Sequence, residues 1–71
     1  MNYGKLETSE RLQATLRVID DGAWHSTRDI RQHTDSEAVH SDMNALRRNG
    51  IEYEHRRRPG NGKIHEYRLA P

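Results

Sequence analysis

The residues best equipped for chemistry are those of "RRRPGNGK", positions 56–63. Arg56, Arg57, Arg58 and Lys63 bring four permanent cations into eight residues, and each phosphate they neutralised would release condensed counterions. A second group stands upstream in "DSEAVHSDMNALRRNG". There Asn44 can both donate and accept hydrogen bonds, and Arg47 and Arg48 add charged donors. Other chemistries fit less well. "PGNGK" lacks the spacing of a nucleotide-binding loop, and the residues after it alternate like a strand where such a loop needs a helix. The five histidines do not pair at i, i+3 or i+4 within one predicted helix, and no carboxylate–histidine set has ligand spacing, so no metal and no cofactor is expected. Ser26, Ser41 and Asp29 could be combined with a histidine on paper. A chain of 71 residues does not build the walls of a catalytic pocket, so no enzymatic activity is expected.

These side chains need a scaffold, and the composition leaves little material for one. The whole chain, 1–71, is one small domain, with its core expected over about 9–69 and residues 1–7 as a loosely ordered arm. Hydrophobic residues make up 31% and charged residues 32%, close to the range in which chains stay disordered, but the apolar positions are periodic. With no cysteine, disulfides and thiolate sites are excluded. No apolar run approaches the ~20 residues of a membrane span. The first residues lack a charged-then-apolar leader pattern, so a cytoplasmic location is expected. The net charge of +1 conceals an asymmetry: residues 1–46 carry five Lys/Arg against eight Asp/Glu, and residues 47–71 carry seven against three. A polyanionic partner for the C-terminal part is the reading this favours over a merely solvated surface.

In "TSERLQATLRVIDDG", Leu12, Leu16 and Ile19 share one helical face, Thr8 or Ser9 can cap the start, and Gly22 can end it. In "WHSTRDIRQHT", Ser26 and Asp29 resemble a capping box that opens a short helix over about 27–33 with Ile30 inward. Trp24 is expected to seal one end of the core. The third helix is the clearest. Val39, Met43 and Leu46 recur at i, i+4, i+7, Asp35 or Ser36 caps the start and Gly50 stops it. Its opposite face carries Glu37, Ser41, Asn44 and Arg48, flanked by His40 and Arg47. "IEYEHRR" and "KIHEYRL" then alternate with period two around "RPGNG", which reads as a β-hairpin with the basic octapeptide at its tip.

Three helices followed by a hairpin, with a short second helix and a tight turn into the third, resemble a winged helix-turn-helix domain. The carriers are Ile30, Thr34, Val39, Met43, Leu46, Gly50 and Ile51, whose spacing is similar to the family's over about residues 9–69. The stretches "WHSTRDI" and "NALRRNGIEYEHRRRPGNGKIHEYRL" resemble small winged-helix proteins encoded by phages and prophages. The resemblance implies an α+β, mainly α fold: three helices followed by a two-stranded β-hairpin wing. It implies double-stranded DNA as the partner, with a role as a transcriptional regulator or as a recombination or excision accessory.

By position, Ser36, Glu37, His40, Ser41, Asn44, Arg47 and Arg48 would meet the major groove. Arg56, Arg57, Arg58 and Lys63 would meet the backbone or the minor groove. The other reading of the wing cations is protection of an exposed strand edge. Three departures from the family pattern involve four positions. Asp35 replaces the turn glycine, and His33 replaces a small residue between helices two and three. Glu37 and Asp42 put negative charge on or beside the helix expected to face DNA. That charge is the ground for the alternative, a winged helix that binds a protein partner or a second copy of itself.

Overall fold

The first helix, α1 (Glu10–Ile19), begins where the Ser9 hydroxyl accepts the Leu12 amide at 3.2 Å. It ends toward Gly22, which takes φ 78°. The computed structural model describes residues 5–71. After α1 come β1 (His25–Ser26), α2 (Thr27–Thr34), α3 (Val39–Arg48), β2 (Tyr53–Arg58) and β3 (Asn61–Leu69). The result is an α+β domain of three helices and one antiparallel sheet. Of the expected N-terminal arm, residues 1–4 lie outside the described residues. From Leu6 the chain is tied down: its amide donates to Asn49 Oδ1 at 3.0 Å and its carbonyl accepts from Gln13 Nε2 at 2.9 Å.

α2 opens on the Ser26 hydroxyl, which accepts the Asp29 amide at 3.0 Å. The Asp29 carboxylate does not return to Ser26 as a capping box would have it; it bonds His25 Nδ1 at 2.5 Å. α2 closes at Asp35 in the left-handed region, φ 55°. Aspartate tolerates that conformation better than most residues, so the turn into α3 forms without a glycine. α3 starts later than Asp35 or Ser36 would dictate, with Ala38 at its N-cap and no side-chain cap. Ser36 serves the preceding turn, accepting the Ala38 amide at 3.2 Å. The far end of α3 is a Schellman closure: Ile51 N–H reaches Leu46 C=O at 3.1 Å and Gly50 N–H reaches Arg47 C=O at 3.0 Å. Gly50 takes φ 89°, which a side chain would resist.

The core joins Leu12 and Ile19 of α1, Ile30 of α2, Val39, Met43, Ala45 and Leu46 of α3, and Tyr67 of β3. Leu16 was expected on this face but packs only partly against it, and Thr15 is the fully buried residue. The Thr15 hydroxyl is satisfied by the Arg11 carbonyl at 3.0 Å, which makes a polar atom tolerable there. Asp42 is also buried, at 1% exposure. The Ser36 hydroxyl donates to its Oδ2. Arg11 Nε stands 2.9 Å from Oδ1 but directs no N–H along the contact, so that side of the pair is electrostatic. Asp42 therefore belongs to the join between α1, α3 and the turn before α3, and it does not face outward from the third helix.

The sheet has three strands in the order β1-β3-β2, one more than the two-stranded hairpin expected. β1 adds His25 opposite Tyr67 and Ser26 opposite Glu66. β2 and β3 pair Tyr53 with Leu69, His55 with Tyr67 and Arg57 with His65 on one face, and Glu54 with Arg68 and Arg56 with Glu66 on the other. Their turn is Pro59–Gly60, with Gly60 at φ 84°, the signature of a type II turn. Its backbone twist does not match that of the flanking strands, and the register shifts between Arg57 and Arg58. Asn61 and Gly62, expected within the turn, already belong to β3. Trp24 does not seal the core. The guanidiniums of Arg56 and Arg68 lie over its ring at 4.2 and 4.6 Å, which packs it against the Glu54/Arg56/Glu66/Arg68 face of the sheet.

His25 ties the end of the α1–β1 loop to α2, with Nε2 2.8 Å from Asp21 and Nδ1 2.5 Å from Asp29. Burial alone would lower its pKa, but the bonds to Asp29 and Asp21 outweigh burial and raise it above the usual histidine value of 6.5. A histidine whose folded pKa is raised contributes stability in full below the unfolded value and loses it as pH rises through the folded one. The melting temperature is expected to fall across that window as pH increases, and His25→Gln is expected to flatten this part of the profile. An unchanged profile in the variant would show that the two bonds carry no net stabilisation.

Candidate functional site

α3 and the hairpin meet along one continuous face. On α3, His40, Ser41, Asn44, Arg47 and Arg48 are exposed, as is Glu37 just before the helix. Ser36 is not among them; it is buried at 2% exposure against Asp42. Across from α3 stands the sheet face of Tyr53, His55, Arg57, His65 and Tyr67. One cleft between the two is lined by His40, Asn44 and Arg47 together with Tyr53, His55 and Tyr67. A second continues toward α2, lined by Thr27, Arg28, Arg31, His40, Lys63 and His65. Among the described residues lining these two clefts there is no carboxylate.

Aromatic contacts fix the floor. The Tyr67 ring stacks on His55 at 4.7 Å and 15°, and the His55 and His65 rings lie nearly parallel and side by side, centroids 5.0 Å apart and planes 13° apart. His40 stands edge-on to His65 and Tyr67, its Nδ1 2.5 Å from the Tyr67 hydroxyl. His55 Nε2 lies 2.8 Å from His65 Nδ1. The Arg47 guanidinium covers the Tyr53 ring at 4.4 Å. Burial, then the positive charges of His65, His40, Arg47 and Arg57, lower the His55 pKa. Burial raises the Tyr67 pKa, helped by Tyr53 and opposed by Arg47. Tyr67 is therefore a neutral hydroxyl, able to donate to or accept from His40.

The three consecutive arginines divide. Arg56 and Arg58 turn to Glu66, their Nε atoms 2.9 and 3.1 Å from its two carboxylate oxygens. Burial would raise the Glu66 pKa, but the two guanidiniums outweigh it and hold the carboxyl below its usual range. Arg57 points to the opposite face, paired across the strands with His65. Of the four hairpin cations singled out in the sequence, Arg57 is thus on the α3 side, Lys63 lines the cleft toward α2, and two are partly neutralised. His40 was anticipated on this face from the sequence, whereas Arg28, Arg31, His55 and His65 were not. The histidines come from three different elements, so their proximity leaves no spacing signal in the sequence.

Comparison with family models, curated proteins and solved structures finds no match for this chain.

Proposed function

We propose that this domain binds double-stranded DNA in the manner of a winged helix-turn-helix protein. In this reading α3 enters the major groove and the β2–β3 wing lies on the backbone or in the minor groove, and the role is that of a phage-type transcriptional regulator or recombination accessory. The observation that carries it is the pair of clefts between α2, α3 and one face of the hairpin, lined among the described residues by Arg28, Arg31, Arg47 and Lys63 and by no carboxylate. A polyanion supplies the charge such a surface lacks. The burial of Asp42 under Arg11 and Ser36 supports the reading further, since it removes from the outer face one of the two acids that would oppose DNA. Asn44 and Arg47 remain as hydrogen-bonding groups for base edges, and Arg48, near the helix end, for phosphate.

The wing arginines supply the test. Arg57→Ala and Lys63→Ala should each lower the slope of log affinity against log salt by up to about 0.9, the value for one lost phosphate contact. Arg56→Ala and Arg58→Ala should change it less, because Glu66 already neutralises those side chains. Fluorescence anisotropy of a labelled duplex over a salt series measures this. Slopes that respond to Arg56 and Arg58 but not to Arg57 and Lys63 would put DNA on the other face of the sheet. Absence of duplex binding at low salt would overturn the reading in favour of a protein partner.

A further inference from the structure

We propose that His40, His55 and His65 form a proton-accepting contact for DNA phosphate, so that duplex binding is coupled to proton uptake. This rests on the DNA-binding reading and goes beyond it by assigning the cluster a ligand group and a linkage. The three rings come from α3, β2 and β3 and share the floor of the two clefts. His55 and His65 are bonded ring nitrogen to ring nitrogen at 2.8 Å. Such a bond needs one N–H and one bare nitrogen. The pair can hold one added proton on an outer nitrogen and keep the bond; a second added proton would set two N–H groups against each other. His40 has more freedom, because the Tyr67 hydroxyl can reverse its role when Nδ1 is protonated.

The groups facing the cluster are all cationic or neutral. They are Arg28 and Arg31 from α2, Arg47 from α3, Tyr53 and Arg57 from β2, and Lys63 and Tyr67 from β3. Burial, and after it the surrounding positive charges, lower the His55 pKa and favour its neutral form. Among the described residues no carboxylate lines this space to reverse the effect, in contrast to His25, which is bonded to Asp21 and Asp29. A phosphate brought against the face supplies the missing negative charge and favours the imidazolium form. Protons are then taken up on binding, and affinity rises as pH falls.

The test is a titration of a mixed-sequence duplex at constant ionic strength between about pH 6.0 and 7.5, where the bases themselves do not titrate. For wild type, affinity is expected to rise roughly three- to tenfold per pH unit as pH falls, the upper figure corresponding to one proton taken up. Calorimetry in buffers of different ionisation enthalpy should give matching uptake. The double variant His55→Gln/His65→Gln should lose most of the dependence. His33→Gln, an exposed change on α2 (62% exposed), should retain it. Proton NMR of the wild-type histidine rings, with and without duplex, reads the same linkage without any substitution and so stands even if the double variant does not fold. Binding that is independent of pH, or uptake that survives in a folded double variant, would overturn the inference and leave the DNA-binding reading intact. Failure to bind at every pH would overturn both.

Discussion

Leu46→Ala is expected to unfold most of the protein at room temperature, whereas Leu16→Ala leaves it folded. Both are leucines on helices packed against the same core, and the sequence places both on an apolar face. Leu46 is fully buried, at 0% exposure, between the other helices and the sheet; Leu16 packs from the rim. Truncating a fully buried leucine costs about 2–5 kcal/mol, from lost transfer energy and the cavity that remains. A domain of this length has about 5 kcal/mol of total stability, so that loss consumes most of it. Leu16→Ala removes a side chain that is only partly buried and should cost about 1 kcal/mol. Circular-dichroism melts with urea titrations of both variants measure the contrast. Equal losses would mean that Leu16 is as much a part of the core as Leu46.

Local signals were read from the chain with good fidelity, and the misses share a cause. The Ser9 and Ser26 caps, the left-handed Asp35, the stop at Gly50 and the alternation on both sides of Pro59–Gly60 depend on neighbours within a few residues, so they are visible in one dimension. β1 was not visible because two residues, His25 and Ser26, are too few to show a period. Its pairing to β3 spans some forty residues of chain. Trp24 was legible as a large apolar body but not as the partner of Arg56 and Arg68, which requires the sheet to exist first. Asp42 was read as an acid on or beside the helix expected to face DNA, and no local signal marks Glu66 as enclosed, because sequence reports charge and not enclosure. Each is enclosed by a partner distant in sequence: Arg11 in α1, and the two arginines of the neighbouring strand. The same blindness hid the histidine cluster and made three arginines look equivalent when strand alternation and Glu66 divide them.

Asn44→Ala should reduce affinity for the best duplex about five- to 150-fold, the ~1–3 kcal/mol of one bidentate base contact, and leave a random duplex nearly unaffected. Asn44 is exposed and lines the cleft with His40 and Arg47, while Met43, the next residue along, is buried in the core. A change there leaves the packing face of α3 intact, and surface substitutions usually stay within about 0.5 kcal/mol of stability. Arg48, in the last turn of α3, lies where phosphates are the nearer target, so Arg48→Ala should weaken both duplexes alike. The experiment is a selection from random duplexes at moderate salt, followed by side-by-side titration of the winning site and a scrambled one with wild type and both variants. Phosphate contacts are common to every duplex and base contacts are not, so only a base-reading residue can separate the two titrations. An Asn44→Ala variant that loses equally on both, or on neither, would show that α3 does not read sequence through this side chain. Discrimination would then have to come from DNA shape sensed by Arg57 and Lys63 in the wing.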